Sequence, residues 1–264
     1  AFQTHVSLNQ RTHVIELNFK VRPVRIEIDP QFDVFRRLDS REIPAALSQG
    51  FGADQPLLIL PSKADDAVLQ AYDKLAENWQ RTQTRRLEVV RDDQLDAIPT
   101  DRIVWVMGWQ NKFTPRILDS LAGQGVRYDN QQLALDNQQY QRLEHSIVLT
   151  TRQSENPDKT LLWVASDNPE AIAQLSSKLP HYRKYSYLVF KGGELVNVNK
   201  GQWPITESPL AHWITQKDGK AIVRDHSGTL AARRALAQLP PFFSESQMLA
   251  DITHLASELF RGRE

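Results

Sequence analysis

The chain has 264 residues, with 32 basic and 32 acidic side chains, so its net charge is zero at neutral pH. This balance argues against general nucleic-acid binding, and the absence of cysteine excludes disulfides, thiol catalysis and thiolate metal sites. No apolar run reaches the roughly 18 residues of a membrane span, and no signal peptide is recognisable at the start. Because the first residues, AFQTHVSL, lack Met and begin in strand-like alternation, we expect a cut end there.

The N-terminal part of the sequence predicts β-structure. Residues 4–9, 13–20 and 24–28 each carry the β-forming side chains typical of strands. Two or three strands are only marginally stable without a covering layer. We therefore interpret residues 1–27 as the β-rich tail of a preceding domain.

The middle of the chain, residues 28–200, predicts an α/β domain. Continuous apolar strands that alternate with amphipathic helices are typical of a sheet covered on both faces. We expect an open, doubly wound, mostly parallel sheet with helices on both faces, an antiparallel excursion at 126–135 and a hairpin around Gly192-Gly193. The predicted strands are 57–60, 87–90, 103–107, 147–149, 161–165, 185–190 and 195–199, and the predicted helices are 64–79, 115–122 and 169–178.

Residues 201–264 predict a looser extension with a hairpin at 214–226, an Ala/Arg-rich helix within 229–243 and a final amphipathic helix. Ser244 and Gln247 have the spacing of a capping box for that last helix. We expect its apolar face to pack on the α/β domain or on a neighbouring copy, or else the helix to fray. That face carries Met248, Leu249, Ile252, Leu255, Ala256 and Leu259.

No complete catalytic motif is present. None of the seven histidines is followed by Glu, and no two lie three to five residues apart, so helical zinc motifs are absent. A Gly-x-Ser-x-Gly nucleophile turn is absent too. We predict no catalytic residue, no metal ligand and no cofactor in this chain, although a metal site assembled from distant residues stays open as a third hypothesis.

One candidate ligand site lies at Gly108, Trp109 and Asn111. These residues follow a predicted strand and lead into a helix, where open α/β sheets bind ligands and helix N-termini attract anions. The alternative is structural: Gly108 permits the turn and Asn111 caps the helix.

A second candidate is the aromatic and basic stretch at 179–203, with His181, Tyr185, Lys200 and Trp203 as its possible contact residues. Cations interleaved with aromatic rings can stack on sugars, bases or aromatic ligands. The alternative is that these rings simply cover the edge of a core.

Three segments resemble known families. Residues 28–49 and 179–210 are similar to exported bacterial proteins of the aminopeptidase N-like, gluzincin group. Residues 243–264 resemble the opening helix of dizinc aminopeptidases of the aminopeptidase Y and S type, with Leu255-Ala256-Ser257 and Gly262-Arg263 as the matching positions. Residues 50–178 carry no such resemblance.

The resemblance implies that the chain joins two peptidase regions of an exported polypeptide, with residues 201–264 leading into the second. Zinc is then expected in the flanking domains, and the location is periplasmic or secreted. The first hypothesis is a non-catalytic module that positions catalytic domains or peptide substrate. Its partners are the flanking domains, with no nucleic acid and no membrane span. The alternative is an α/β domain that binds a small ligand or peptide at the two candidate sites.

Overall fold

The computed structural model describes residues 2–82, 86–205, 207–215 and 244–257. They group into two compact units, one within Leu38–Ser208 and one within Ala1–Arg37 and Pro209–Glu264. The predicted helix at 229–243 and most of the predicted hairpin at 214–226 lie outside the described residues. The domain boundaries at residues 27 and 200 stay a prediction.

The secondary structure follows the predicted order through the middle of the chain. None of the described helices is both long enough and apolar enough to cross a membrane. The strands are β1 (Arg25–Glu27), β2 (Leu57–Leu60), β3 (Glu88–Arg91), β4 (Val104–Met107), β5 (Arg127–Tyr128), β6 (Gln132–Leu135), β7 (Gln138–Gln141), β8 (His145–Arg152), β9 (Thr160–Ala165), β10 (Tyr187–Lys191), β11 (Val196–Gly201) and β12 (Ala211–Trp213). The helices are α1 (Leu47–Gly52), α2 (Asp66–Thr82), α3 (Thr114–Leu121), α4 (Pro169–Lys178) and α5 (Glu245–Leu255).

The larger unit is built on a mixed seven-stranded sheet in the order β11-β10-β8-β9-β4-β2-β3. The neighbours from β9 to β3 are parallel, whereas those from β9 to β11 are antiparallel. The α/β class is confirmed, but the sheet is mixed and the expectation of a mostly parallel one is not met. Residues 153–159 join β8 to β9, and a parallel crossover needs a dozen residues or more.

Two apolar layers cover the sheet, as the continuous apolar runs of β2, β4 and β9 predict. Helices α2 and α4 pack on one face, and α3 with the small antiparallel sheet β5-β6-β7 packs on the other. The predicted excursion at 126–135 is thus confirmed as β5 and β6, with β7 added. The first layer includes Tyr72, Leu75, Trp79, Leu162 and Phe190; the second includes Ile117, Leu121, Leu133, Tyr140 and Trp163.

Helix α1 lies directly against the first layer at Gly50. A β-carbon built on this glycine would come within 2.5 Å of Cζ2 of Trp105 and 2.8 Å of Cδ2 of Leu162. The indole of Trp105 is held from the other side by Trp79, with ring centres 4.9 Å apart. Only a residue without a side chain therefore fits at this contact.

The hairpin of β10 and β11 forms the outer edge of the sheet, as the Gly192-Gly193 turn predicts. Its register shifts between Val189 and Phe190, which marks a β-bulge in β11. The side-chain amide of Asn197 donates to the backbone carbonyls of Val189 and Asn199 at 3.2 and 3.1 Å.

The smaller unit contains a two-stranded antiparallel ribbon of β1 and β12. The prediction of strands at 4–9 and 13–20 is wrong, because residues 2–24 contain no strand. Phe2 and Phe19 touch edge to face at 5.4 Å between ring centres, so the chain returns to its own start at this one contact. Without a covering layer, alternation of β-forming residues does not suffice for a ladder.

The final helix is confirmed as α5. The side chain of Ser244 accepts a hydrogen bond from the backbone N–H of Gln247 at 3.1 Å. In a full capping box the Gln247 side chain would bond back to the backbone N–H of Ser244. Here the Gln247 amide instead donates to the carboxylate of Asp251 at 3.0 Å.

Replacement of Gly50 by alanine should destabilise the larger unit by about 1–3 kcal/mol, because Trp105 or the helix must shift to admit the methyl group. A β-carbon added at Gly52 in the same helix would have nothing within 4 Å, so Gly52→Ala is the matched control and should be neutral or stabilising by up to about 1 kcal/mol. Urea unfolding followed by tryptophan fluorescence measures both. Equal stability of the two variants would contradict the close packing of α1.

Candidate functional site

The chain reverses its direction of travel across the sheet between β2 and β4. From β2 it moves outward to β3 and then returns to β4 on the other side of β2. At such a reversal the loops at the carboxyl ends of two neighbouring parallel strands diverge and leave a crevice, which is the usual ligand site of an open sheet. The predicted residues Gly108, Trp109 and Asn111 follow β4 and lie at this edge.

Gly108 makes the turn that leaves β4. Its φ is +88°, a left-handed conformation that other residues rarely adopt, and a β-carbon there would lie 3.0 Å from Cγ of Pro61. The Gly108 N–H donates to the carbonyl of Val164 at 2.8 Å, and its carbonyl accepts from Nε1 of Trp163 at 3.1 Å. The backbone of Gly108 is therefore occupied by the protein itself.

Asn111 bridges the two strands on either side of the crevice. It is 2% exposed, and its Nδ2 donates to the carbonyls of Ile59 in β2 and Met107 in β4, both at 3.1 Å. Its Oδ1 accepts from the N–H of Phe113 at 3.1 Å. An asparagine side chain can make four hydrogen bonds, and three are used here within the chain.

Asp92 fills the adjoining position from the loop after β3. It is 2% exposed, and its two carboxylate oxygens accept from the backbone N–H groups of Ser62 and Lys112, each at 2.8 Å. A buried carboxylate that receives two such bonds is stabilised where it lies. Asp92 thus links the loops that follow β2, β3 and β4.

Helix α3 begins later than the predicted cap implies. Its N-cap is Phe113, whose side chain makes no capping bond, and Thr114 is its first residue. Asn111 stands three residues before the helix and acts through its bonds to β2 and β4 instead. The structural alternative for this segment is therefore refined: Gly108 permits the turn, while Asn111 ties strands and is not the helix cap.

Further along the same edge, Arg142 holds the small sheet to the end of β9. Its Nε and Nη2 donate to Asp167 at 2.5 and 3.2 Å, and its Nη1 donates to the hydroxyl of Tyr128 at 3.2 Å. Burial by itself disfavours the charged guanidinium, but the hydrogen bond and charge of Asp167 outweigh it and raise the pKa of Arg142. We call this pair, with Tyr128, Trp109 and Gln110, the Arg142 cluster.

Trp109 forms the floor of the Arg142 cluster. Its ring stacks on Tyr128 with centres 5.0 Å apart and an interplanar angle of 22°, and the Arg142 guanidinium lies 5.6 Å above it. The neighbouring Gln110 donates through Nε2 to Asp167 at 2.9 Å. Two buried atoms of the cluster, Nε1 of Trp109 and Oε1 of Gln110, have no hydrogen-bond partner among the residues that the structure describes. Buried polar atoms without partners are rare and commonly mark a water or ligand position.

The aromatic stretch lies at the end of the sheet where the parallel strands begin, opposite to the end that carries Gly108. Because β10 and β9 are both antiparallel to β8, β10 runs in the same direction as β4. Tyr185 precedes β10 and Gly108 follows β4, so they lie at opposite ends of two strands that run in the same direction, with β8 and β9 between them. The offset along the strands is about 13 Å, four residues at about 3.3 Å each. The two candidate groups do not form one site.

Trp203, one of the predicted contact residues, belongs to the core. It is 7% exposed, its Nε1 donates to the carbonyl of Thr150 at 2.6 Å, and its ring lies 4.7 Å from that of Tyr187. Its backbone N–H donates to Oγ of Ser186 at 3.0 Å. Both N–H groups of Trp203 are therefore bonded within the core, and the residue is explained by packing.

The other three predicted residues lie at the surface. His181 is exposed in a 3₁₀ turn, Leu179–Tyr182, and Lys200 is exposed near the end of β11. Tyr185 is half-buried, and the Lys200 ammonium lies 5.5 Å from its ring centre. Tyr185 and Lys200 are therefore neighbours, and ligand binding by them stays a prediction.

Sequence reasoning missed Asp92, Tyr128 and Arg142. Asp92 could have been found, because it comes two residues after the predicted strand 87–90, which would end beside 103–107 in a parallel sheet. Arg142 could not, since its partner Asp167 lies 25 residues away and only the fold brings them together. Among the residues that the structure describes, no three His, Cys, Asp or Glu side chains group closely enough to hold a metal ion.

Comparison of the chain with protein-family models gave no match. Comparison with curated proteins gave none either.

Asn111→Ala should cost about 2–4 kcal/mol of stability, because the carbonyls of Ile59 and Met107 would lose their shared donor in the interior. Asn156→Ala is the matched control: that amide makes one bond, to the carbonyl of Thr100 at 2.8 Å, and its loss should cost less than about 1 kcal/mol. Urea unfolding measures the difference. If both variants are equally stable, Asn111 does not tie β2 to β4.

Proposed function

We propose that the chain is a non-catalytic interaction module of an exported bacterial metallopeptidase polypeptide, in which it positions the flanking catalytic domains or their peptide substrate. Zinc would belong to those flanking domains, and the polypeptide would work in the periplasm or outside the cell. The observation that carries the proposal is the apolar face of α5, which the described part of the chain leaves uncovered.

Helix α5 exposes every large apolar side chain on that face. Met248, Leu249, Ile252 and Leu255 have 52%, 64%, 59% and 65% of their surfaces exposed. No residue of α5 is buried. Contiguous apolar surface of this kind marks protein contact sites, because its burial stabilises a complex by roughly 25 cal/mol per Å².

The identity of the expected partner comes from the resemblance of residues 243–264 to the opening helix of dizinc aminopeptidases. In such a helix the apolar face would pack inside the catalytic domain that follows. The face of α5 has the composition for that role: four large aliphatic or thioether side chains, with Ser246, Ala250 and His254 on other sides of the helix.

The smaller unit shows the same character in its N-terminal segment. Val14 and Val21 have 82% and 75% of their surfaces exposed, and Phe35 is fully exposed. Segments with strand-like alternation but no ladder are suited to join a sheet supplied by another domain. This supports contact with a preceding domain as well as with a following one.

We also propose that the larger unit is a variant of the open doubly wound fold. The parallel half, β3-β2-β4-β9, reverses direction at β2 and β4 and has helices on both faces. An antiparallel half, β8-β10-β11, extends it.

A double variant, Leu249→Glu with Ile252→Glu, tests the role of α5. In the chain alone it should leave the unfolding transition unchanged, because both residues are exposed. In the longer polypeptide we expect amide hydrogen exchange in α5 to be slow for the native sequence and at least about tenfold faster for the double variant, a change equivalent to roughly 1.4 kcal/mol.

Ala250→Glu is the matched control, since position 250 lies on the opposite side of α5 from the apolar face. It should keep the slow exchange. Equally fast exchange of α5 in the native chain and in the longer polypeptide would refute the proposal, because no partner would then cover the helix.

A second candidate function is small-ligand binding at the Arg142 cluster, favoured by the unpartnered Nε1 of Trp109 and Oε1 of Gln110. One is a hydrogen-bond donor and the other an acceptor. A primary amide carries both complementary groups, so a small amide is the ligand class with which we test this site.

Acetamide at millimolar concentration should therefore raise the melting temperature of the native chain but not that of Trp109→Phe. Trp163→Phe is the matched control, since its Nε1 is already bonded to the carbonyl of Gly108. That variant should retain the ligand-induced shift. If acetamide does not shift the native chain, or shifts Trp109→Phe equally, the two atoms do not bind an amide.

A further inference from the structure

Two lysines share one tyrosine ring at the amino edge of the sheet. The Lys184 ammonium lies 5.2 Å and the Lys200 ammonium 5.5 Å from the ring centre of Tyr185. We call these three residues the lysine–tyrosine clasp. Lys200 comes from β11 and the other two from the segment before β10, so the fold brings the two positive charges together.

The backbone under the clasp is fixed at three successive carbonyls. The carbonyl of Arg183 accepts from the N–H of Ser48 at 2.7 Å, and that of Tyr185 accepts from Leu47 at 3.0 Å. Between them, the Lys184 carbonyl accepts from Nε2 of Gln202 at 2.7 Å. The clasp therefore presents its charges from a defined backbone, which lowers the entropy lost when a partner binds.

The charges of the clasp lack acidic partners among the described residues. Lys184 and Lys200 are both exposed and make no ion pair there, and the neighbouring Arg183 is also exposed. By contrast, Lys191 at the far end of β10 pairs with Glu144 at 3.4 Å. Like charges held near each other create a positive potential that an anion relieves.

We propose that the lysine–tyrosine clasp binds an acidic peptide segment, with carboxylates on Lys184 and Lys200 and the adjoining peptide surface against the half-buried ring of Tyr185. An exposed ion pair contributes little, because water and salt screen it, so a single small anion would bind weakly. Several carboxylates on one chain gain from their effective concentration. The zero net charge of the protein disfavours nucleic acid as the partner.

This inference is independent of the function proposed for α5, because the clasp lies within Leu38–Ser208 and α5 lies in the other unit. The aromatic ring adds selectivity for peptides over bulk counterions. The attraction between the ammonium and the tyrosine ring holds the lysine in place for the carboxylate.

The test uses a fluorescein-labelled hexaglutamate peptide and fluorescence anisotropy with the full chain at low salt. We expect saturable binding that weakens as salt is added, and no binding of hexaglutamine. The double variant Lys184→Gln with Lys200→Gln should lose about tenfold or more in affinity, which corresponds to about 1.4 kcal/mol. Both side chains are exposed, so the melting temperature should not change.

Lys63→Gln with Lys191→Gln is the matched control. It removes the same net charge from exposed positions that follow β2 and end β10, at the other edge of the sheet. Its affinity for hexaglutamate should stay within about twofold of the native value. An equal loss in this control would show that only overall charge matters and would overturn the proposal.

A six-nucleotide oligothymidylate, of similar charge, provides the competing arm. Tighter binding of the oligonucleotide than of hexaglutamate would indicate that the partner is a nucleic acid and would overturn the assignment of an acidic peptide. Absence of hexaglutamate binding to the native chain would do the same. Neither result bears on the hydrogen exchange of α5, so the two proposals fail separately.

Discussion

The connection between β8 and β9 is too short to carry a crossover, and much of the larger unit follows from that constraint. Residues 153–159 can only return the chain antiparallel, which places β8 beside β9 but pointing the other way. Strand β10 then pairs with β8, and β11 with β10. The segments that enter β10 and leave β11 consequently end at the amino edge of the parallel strands. Tyr185 and Lys200 meet there, away from Gly108.

The pattern of apolar residues predicted the strands and helices correctly wherever the element packs on a core layer of the larger unit. The buried runs of β2, β4 and β9 and the amphipathic helix α2 are confirmed, because apolar periodicity reports burial directly. Strand direction depends on the length of the connection, and the seven residues QSENPDK at 153–159 are too few for a parallel crossover. The strand prediction for the N-terminal segment was wrong for another reason. Its β-forming residues pack against no second layer among the described residues.

In the candidate sites, too, features set by neighbouring residues in the chain were predictable, whereas contacts between distant residues were not. The position of Gly108 and Asn111 at a strand end was predictable, since it needs only the strand and the helix that follow each other in the chain. Their bonding was not, because Ile59 lies 52 residues from Asn111 and the carboxylate of Asp92 comes from a third loop. The crevice that a ligand would use in other open sheets is held closed at this point by an amide and a carboxylate.

The bulge in β11 gives the sheet a defined end. An edge strand normally offers a regular row of backbone donors and acceptors, which allows identical sheets to join edge to edge into aggregates. In β11 the extra residue breaks the regular spacing of that row, and the Asn197 amide occupies the carbonyl of Asn199. Val196 and Val198 are 57% and 43% exposed on this strand and would otherwise favour such growth. The bulge and the Asn197 amide therefore disfavour edge-to-edge pairing of β11 with the sheet of a second copy.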